Sequence, residues 1–273
     1  MRQKLVISAS RRIDMAATCP ETLLDVLARR FPPERTHTLV IWTKDPGRLL
    51  TDRRVRKRIS AYPSLFVHAT ITGMGGSFLE PRVPPMARSL AALEDVVALV
   101  SGPLHVAVRF DPIVHFRFRD GTDYCNLHHF EEVARCAARL GISRVIVSWM
   151  QLYRKVERRL ASAGVEAKAL DSAGREAETE HLRRIATGLG LDLQGCCVVG
   201  WPRGACIDGA RFQRIHPAGE RCSQARAQGQ RDLCGCTRSI DVGWYGPCIH
   251  GCLYCYANPK TYGSAVGGLR RPK

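Results

Sequence analysis

Six short apolar runs alternate along the chain with longer stretches whose apolar positions recur every three or four residues. The runs lie at residues 4–9, 37–43, 65–72, 104–110, 144–149 and 196–201. Each is rich in β-branched residues and bounded by polar, Gly or Pro positions, which predicts buried strands. Residues 20–31 open with Pro20 at a first turn and carry Leu23, Leu24, Val26 and Leu27, which predicts a helix. Residues 86–100 place Leu90, Leu93, Val97 and Val100 on one stripe. Residues 126–140 do the same with Leu127, Phe130, Val133 and Ala137, and Gly141 supplies a stop. Helical spacing also runs through 151–164 and 175–189.

Strands that alternate with helices imply a parallel sheet covered by helices, because parallel neighbours need crossovers. The expected fold class is α/β, a partial or full TIM-like (βα) barrel, with an open doubly wound sheet as the alternative. No Gly-rich dinucleotide fingerprint follows any strand, which weighs against the alternative. Residues 203–233 show little periodicity and read as an irregular excursion. The expected organisation is a barrel core over 1–202 and a cysteine-rich segment over 203–273 that completes the barrel.

The 273 residues suffice for a sizeable core. The apolar start, Leu5 to Ile7, is too short for a signal peptide, and no stretch is long enough to span a bilayer, so a cytoplasmic protein is expected. A formal charge of +16 suggests an anionic partner, with nucleic acid one option. The basic residues are mostly Arg and are spread along the chain. The densest run, Arg53 to Arg58, reads as a solvated helix face. Twelve cysteines fall below the level of a disulfide scaffold, so clustered thiols point to metal or redox chemistry.

The most specific signal is the segment containing Cys248, Cys252, Tyr254 and Cys255. Three thiolates on one loop can hold three irons of a 4Fe-4S cluster and leave the fourth iron open to a ligand. This CxxxCxxC pattern, with an aromatic before the last Cys, resembles the cluster loop of radical S-adenosylmethionine enzymes. The resemblance implies that the open iron chelates S-adenosylmethionine. An electron from the cluster, delivered by a donor such as flavodoxin or ferredoxin, then cleaves the cofactor into methionine and a 5′-deoxyadenosyl radical. Members of that family usually carry the loop near the N-terminus, whereas here it lies near the C-terminal end of the sequence.

A second resemblance covers nearly the whole chain. The segments Ser8 to Asp14, Trp42 to Pro46 and Arg109 to Pro112, together with the terminal cysteine pattern, resemble the bacterial domain-of-unknown-function family numbered 1848. It implies fold and cluster but no substrate. The tail motif is also similar to relatives of spore photoproduct lyase. The late loop suggests a permuted radical-SAM core: residues 239–245 as a strand, the cysteine loop after it, and a helix starting near Tyr256. A strand outside the sheet would refute the permutation.

A parallel α/β core works at the C-terminal ends of its strands. Those ends carry Ser10, Arg11 and Arg12; Thr43 and Lys44; Thr70 and Thr72; Arg109 and Asp111; Ser148; and Arg203. Arg11, Arg12 or Lys44 can pair with the methionine carboxylate or an anionic substrate. Asp111 can bind an amine or a ribose hydroxyl, or Arg109 and Asp111 can pair with each other. Gly75 and Gly76, followed by Glu80, resemble the way radical-SAM enzymes hold the cofactor's amino group; a plain flexible loop is the alternative. Cys206, Cys222, Cys234 and Cys236 offer a second site for zinc or an auxiliary cluster, and free thiols are the alternative. His250 reads as an exposed loop residue, with tuning of the cluster through hydrogen bonding as the alternative. The expected function is therefore radical-SAM-type catalysis on an unknown, anionic substrate. The alternatives are a zinc-stabilised nucleic-acid-binding protein and an iron–sulfur protein that only transfers electrons.

Overall fold

Every residue of the strand Thr36–Thr43 is buried, as a run apolar on both faces requires. This strand, β2, sits inside a seven-stranded parallel sheet. The computed structural model describes residues 3–259 and 271–272. The sheet contains β1 (Leu5–Ala9), β2, β3 (Leu65–Thr70), β4 (Val106–Ile113), β7 (Arg144–Trp149), β9 (Asp192–Gly195) and β10 (Ile240–Asp241), in the order β10-β1-β2-β3-β4-β7-β9. A three-stranded antiparallel sheet is formed by β5 (His115–Phe118), β6 (Asp123–Cys125) and β8 (Val165–Ala167). The last pair, β11 (Pro247–Cys248) and β12 (Asn258–Pro259), brackets the cysteine loop.

Nine helices are described: α1 (Met15–Thr18), α2 (Pro20–Arg30), α3 (Gly47–Thr51), α4 (Arg53–Ile59), α5 (Met86–Leu99), α6 (Phe130–Arg139), α7 (Arg154–Ser162), α8 (Ser172–Gly188) and α9 (Gly209–Ile215). Their limits follow local chemistry. Pro20 opens α2, which buries Leu23 and Leu27 and ends on Arg29 and Arg30. The Asp52 carboxylate accepts from the backbone of Arg54 and Val55 and starts α4. Glu131 and Glu132 favour the first turn of α6, and Gly141 (φ +73°) lets the chain leave it.

The two faces of the sheet bury different partners. Ile7, Leu39, Ile41, Val67, Val108 and Val147 pack with helix residues such as Leu23, Leu93 and Val133. The alternate residues Val6, Val40, Trp42, Phe66, Ala107 and Ile146 pack against Cys206, Ile207, Phe212, Cys222, Cys234 and Cys236. The segment after residue 203 is thus the second covering layer of the sheet, not an excursion. It lacks period because only α9 is regular, and its contacts come from turns packed face-on to the strands.

That layer fills the place where a barrel would close. Among the described residues β9 and β10 remain separate edges, so the fold is an open mixed α/β architecture and not a closed TIM barrel. The apolar run 196–201 is no strand. The edge strand is the more polar β9 just before it, and the chain then turns at Cys197 (φ 56°) and Gly200 (φ 77°), leaving Val199 exposed. Edge position explains the polar composition, since one side of β9 needs no partner. Residues 239–245 do contribute a strand, β10, which pairs in parallel with β1. The expected helix near Tyr256 lies largely outside the described residues; residues 258 and 259 form β12 instead.

Candidate metal centre

Cys248, Cys252 and Cys255 follow β10, and the loop that carries them reaches α1 at Thr18 and the end of β2 at Lys44. Cys252 and Cys255 each feel the charge of Cys248, which gathers the three thiols in one neighbourhood. Burial, then Glu80, pushes the Cys252 thiol well above its ordinary value, so it becomes a thiolate only if a cation compensates. Cys19, at the end of α1, is raised to about 11 by burial, then by Asp14 and Cys248.

The loop is strapped down at several points. His250 is buried, not exposed, and its Nε2 meets Asp14 Oδ2 at 2.8 Å. The same carboxylate accepts from the Thr43 hydroxyl (2.8 Å), the Lys44 amide (2.9 Å) and the Ala17 amide (3.1 Å). One aspartate, the N-cap of α1, therefore joins α1, β2 and the cysteine loop. Burial works against its ionisation, yet the hydrogen bond and charge of His250 hold Asp14 below the usual carboxylate range. Thr18 Oγ1 lies 3.6 Å from Cys248 Sγ and accepts from the Ile249 amide at 3.2 Å. Arg159, on α7, donates to the carbonyls of Leu253 (2.8 Å) and Cys255 (2.9 Å). Neither Asp14 nor Arg159 stands out in the sequence as a support, because the loop they hold is more than ninety residues away.

Beside Cys252 lies a buried polar knot. Lys44 Nζ donates to Glu80 Oε1 at 2.7 Å and to the Tyr254 hydroxyl at 3.0 Å; Tyr254 also donates to Glu80, and Thr72 Oγ1 does so at 2.8 Å. Burial disfavours a charged Lys44, but Glu80, with Cys252 and Asp111, together outweigh it and raise the ammonium's pKa. Burial, then Glu80, pushes the Tyr254 phenol up, so it stays a neutral donor. Glu80 Oε1 accepts three donors, whereas Oε2 is buried without a partner. That orphan oxygen is a ready acceptor for a cationic ligand. Gly75 is required beneath it. It bridges to Glu80, and a Cβ there would sit 2.0 Å from the Pro84 carbonyl oxygen; Gly76 has φ +78°.

Arg11 donates to Asp241 through its amide (2.9 Å) and Nε (3.3 Å), and through Nη2 to Ser239 (3.0 Å). Arg12 reaches the Gly243 carbonyl at 3.0 Å, and the Ser10 hydroxyl accepts from the Arg12 amide. These residues bind β10 and its exit to β1. On β4, Arg109 pairs with Asp111, which also accepts from Ser148. Thr70 lies in register with Arg109 across β3 and β4. Arg203 is exposed. A cavity of about 600 Å³ opens between Ser148, Gln151, Cys196, Cys197 and Arg231, at the ends of β7 and β9. A second cavity, about 590 Å³, lies on the small antiparallel sheet among Arg117, Arg119 and Glu157, apart from the cysteine loop.

The second candidate set is rearranged. Cys206, Cys234 and Cys236 do converge, but their companions are Cys196 and Cys197. Cys222 packs in the same apolar layer, and its charged neighbour is Asp208 rather than another thiol.

A family model described as a domain of unknown function, DUF1848, matches residues 14–257. The chain belongs to that family. The match runs from Asp14 through the last cysteine of the loop, so it includes both ends of the His250–Asp14 strap. No curated protein matches the chain. No described helix is long and apolar enough to cross a membrane.

Proposed function

We propose that this DUF1848 member is an iron–sulfur enzyme of radical-SAM type. Cys248, Cys252 and Cys255 would hold three irons of a 4Fe-4S cluster, and S-adenosylmethionine would take the fourth. The observation that carries the reading is the order strand β10, three-thiol loop, strand β1, with β10 parallel to β1 and the loop locked to Asp14 through His250. This is the order of a radical-SAM core whose first unit has moved to the end of the chain.

The donor set fits the group. Three soft thiols lie on one loop near a buried, partnerless carboxylate oxygen and a buried ammonium. When bound, the cluster supplies the electron that cleaves the cofactor and begins radical chemistry. The chain's own residues bind and shield. Glu80 Oε2, buried without a partner, would accept from the cofactor's amino group, while Lys44 would keep the local charge balanced. Met74, Leu79, Val83, Phe116 and Leu160 pack around Cys252 and Tyr254 and exclude water. Asp111, Ser148 and Thr70 face the neighbouring strand ends, where an anionic or hydroxylated substrate would be held; Arg231 adds a positive charge at the cavity.

Anaerobic reconstitution with iron and sulfide, followed by reduction in the presence of S-adenosylmethionine, tests the reading. The expected result is a brown protein that forms 5′-deoxyadenosine. Methylthioadenosine instead would indicate cleavage at another carbon–sulfur bond. A colourless protein that holds zinc and binds DNA with steep salt dependence would replace the reading with the nucleic-acid alternative, which the +16 charge favours. An intact cluster without cleavage would leave electron transfer alone.

A further inference from the structure

Outside the cysteine loop, three side chains of different chemistry meet at one point. His115 and Cys125 face each other across β5 and β6, so they project from the same face of that hairpin. The next pair, Phe116 and Tyr124, turns to the opposite face, where Phe116 is buried in the apolar cluster around Cys252. Glu178 reaches the first face from α8. His115 Nε2 lies 2.9 Å from Glu178 Oε1 and 3.7 Å from Cys125 Sγ, and the sulfur lies 4.0 Å from the same oxygen.

The triangle has the size of a zinc site. Tetrahedral zinc, with bonds of about 2.0–2.3 Å to imidazole, carboxylate and thiolate, sets its donor atoms roughly 3.3–3.7 Å apart. The three observed distances straddle that range, so each pair needs to move by about half an ångström or less. One nitrogen, one sulfur and one oxygen also suit zinc, which takes all three, whereas magnesium and calcium take oxygen. The charge balances as well. A thiolate and a carboxylate neutralise a divalent ion, and a half-buried place tolerates little unpaired charge. The side chains of His115 and Glu178 keep 18% and 13% of their exposure, so water can reach a fourth position.

Neighbouring groups orient the donors. Trp149 Nε1 donates to Glu178 Oε2 at 2.6 Å, while Oε1 meets His115. The Leu127 amide donates to Cys125 Sγ at 3.4 Å, a contact that favours an ionised sulfur. Contacts of this kind fix the ligands of metal sites. A Cys–His–Glu catalytic relay fits less well. In a relay the acid holds one ring nitrogen and the nucleophile meets the other. Here thiol and carboxylate both meet Nε2.

The geometry points to a zinc site made by His115, Cys125 and Glu178, with water as the fourth ligand, that clamps α8 to the β5–β6 hairpin. In the metal-free chain the same atoms form the His115–Glu178 ion pair, so binding zinc releases the imidazolium and thiol protons to water. The site uses none of the residues assigned to the cluster or its cofactor.

Equilibrium dialysis of the full chain against buffered zinc tests the site. Wild type should retain about one more zinc per chain than Cys125→Ala or Glu178→Gln, and Cys222→Ala should match wild type. With cobalt as the probe, the difference between wild type and Cys125→Ala should contain tetrahedral visible bands and a thiolate-to-metal charge-transfer band. Equal zinc in wild type and Cys125→Ala, both folded by circular dichroism, overturns the inference. Should those variants not fold, labelling of wild type decides. Zinc should slow alkylation of Cys125, mapped by peptide mass, by about tenfold or more, and a smaller effect refutes the site. The Cys125-dependent zinc should persist in a Cys252→Ala background, so the result is independent of whether the chain cleaves S-adenosylmethionine.

Discussion

At the scale of single residues, Asp14 and Glu80 organise the centre, and each does so by collecting donors. Asp14 Oδ2 receives His250, Thr43 and the Lys44 amide. His250→Ala removes the donor that ties the cysteine loop to the start of α1. Reconstituted protein should then hold markedly less iron on that loop and be destabilised by about 1–3 kcal/mol, the cost of an incompletely satisfied buried acceptor; iron analysis and thermal melts measure both. Fully buried Glu80 pairs with half-buried Lys44, so removing the ammonium leaves the carboxylate uncompensated. Lys44→Met alone should cost about 3–5 kcal/mol, and combining it with Glu80→Gln should recover much of the loss. A double-mutant cycle in urea reads the coupling directly; purely additive losses would show that the two charges act separately.

The elements divide into those the sequence announces and those it hides. The strands β1 to β4 and β7, and the helices α2, α5, α6 and α8, have periodic apolar positions that are buried where the period places them. Missed were the small antiparallel sheet, whose strands are three or four residues long, and the layer over 203–236, where burial comes from turns. Apolarity alone also misassigned 196–201, because a Cys-Cys-Val-Val run can line a turn beside thiols as well as fill a strand. The three loop cysteines stand out by residue type and spacing, whereas Gly75, Gly76 and Glu80 form a pattern that a plain flexible loop fits as well. The straps Asp14–His250 and Arg159 were not, since they join positions far apart in the chain.

Two predictions belong at this level. Phe212 on α9 is fully buried and meets Phe66 of β3 at 5.1 Å between ring centroids. Phe212→Ala should destabilise by about 3–5 kcal/mol if the 203–236 layer is part of the core, and by far less if that layer merely rests on it; denaturant titration separates the cases. His115 on β5 bonds Glu178 on α8 at 2.9 Å, and its pKa is raised to about 9, first by Cys125 and then by Glu178. Glu178 is held below its usual range: burial opposes this, and His115, Trp149 and Arg175 together outweigh it. The His115 contribution is complete below about pH 6.5 and fades as pH rises through about 9, while that of Glu178 fades in acid. Thermal melts should therefore show a stability loss between about pH 6.5 and 9 that His115→Gln abolishes.

For the molecule as a whole, the proposed cluster and the fold would support each other. Ligands that bind only the folded chain stabilise it by mass action. Protein reconstituted with iron should melt several degrees above the metal-free form. That gap should shrink in Cys252→Ala and persist in Cys222→Ala. Equal melting temperatures with and without iron would mean that the 203–236 layer and the cysteine loop are held by their protein contacts alone.

The location of that layer has a consequence for how the protein is made. Strands β1 to β7 are complete by Trp149, but the residues that cover their second face and the cysteine loop reach only to Cys255. At a synthesis rate of about 5–20 residues per second, the nascent sheet waits roughly 5–20 s for its cover. During translation its bare face, with Trp42 and Phe66, is a surface for chaperones to guard.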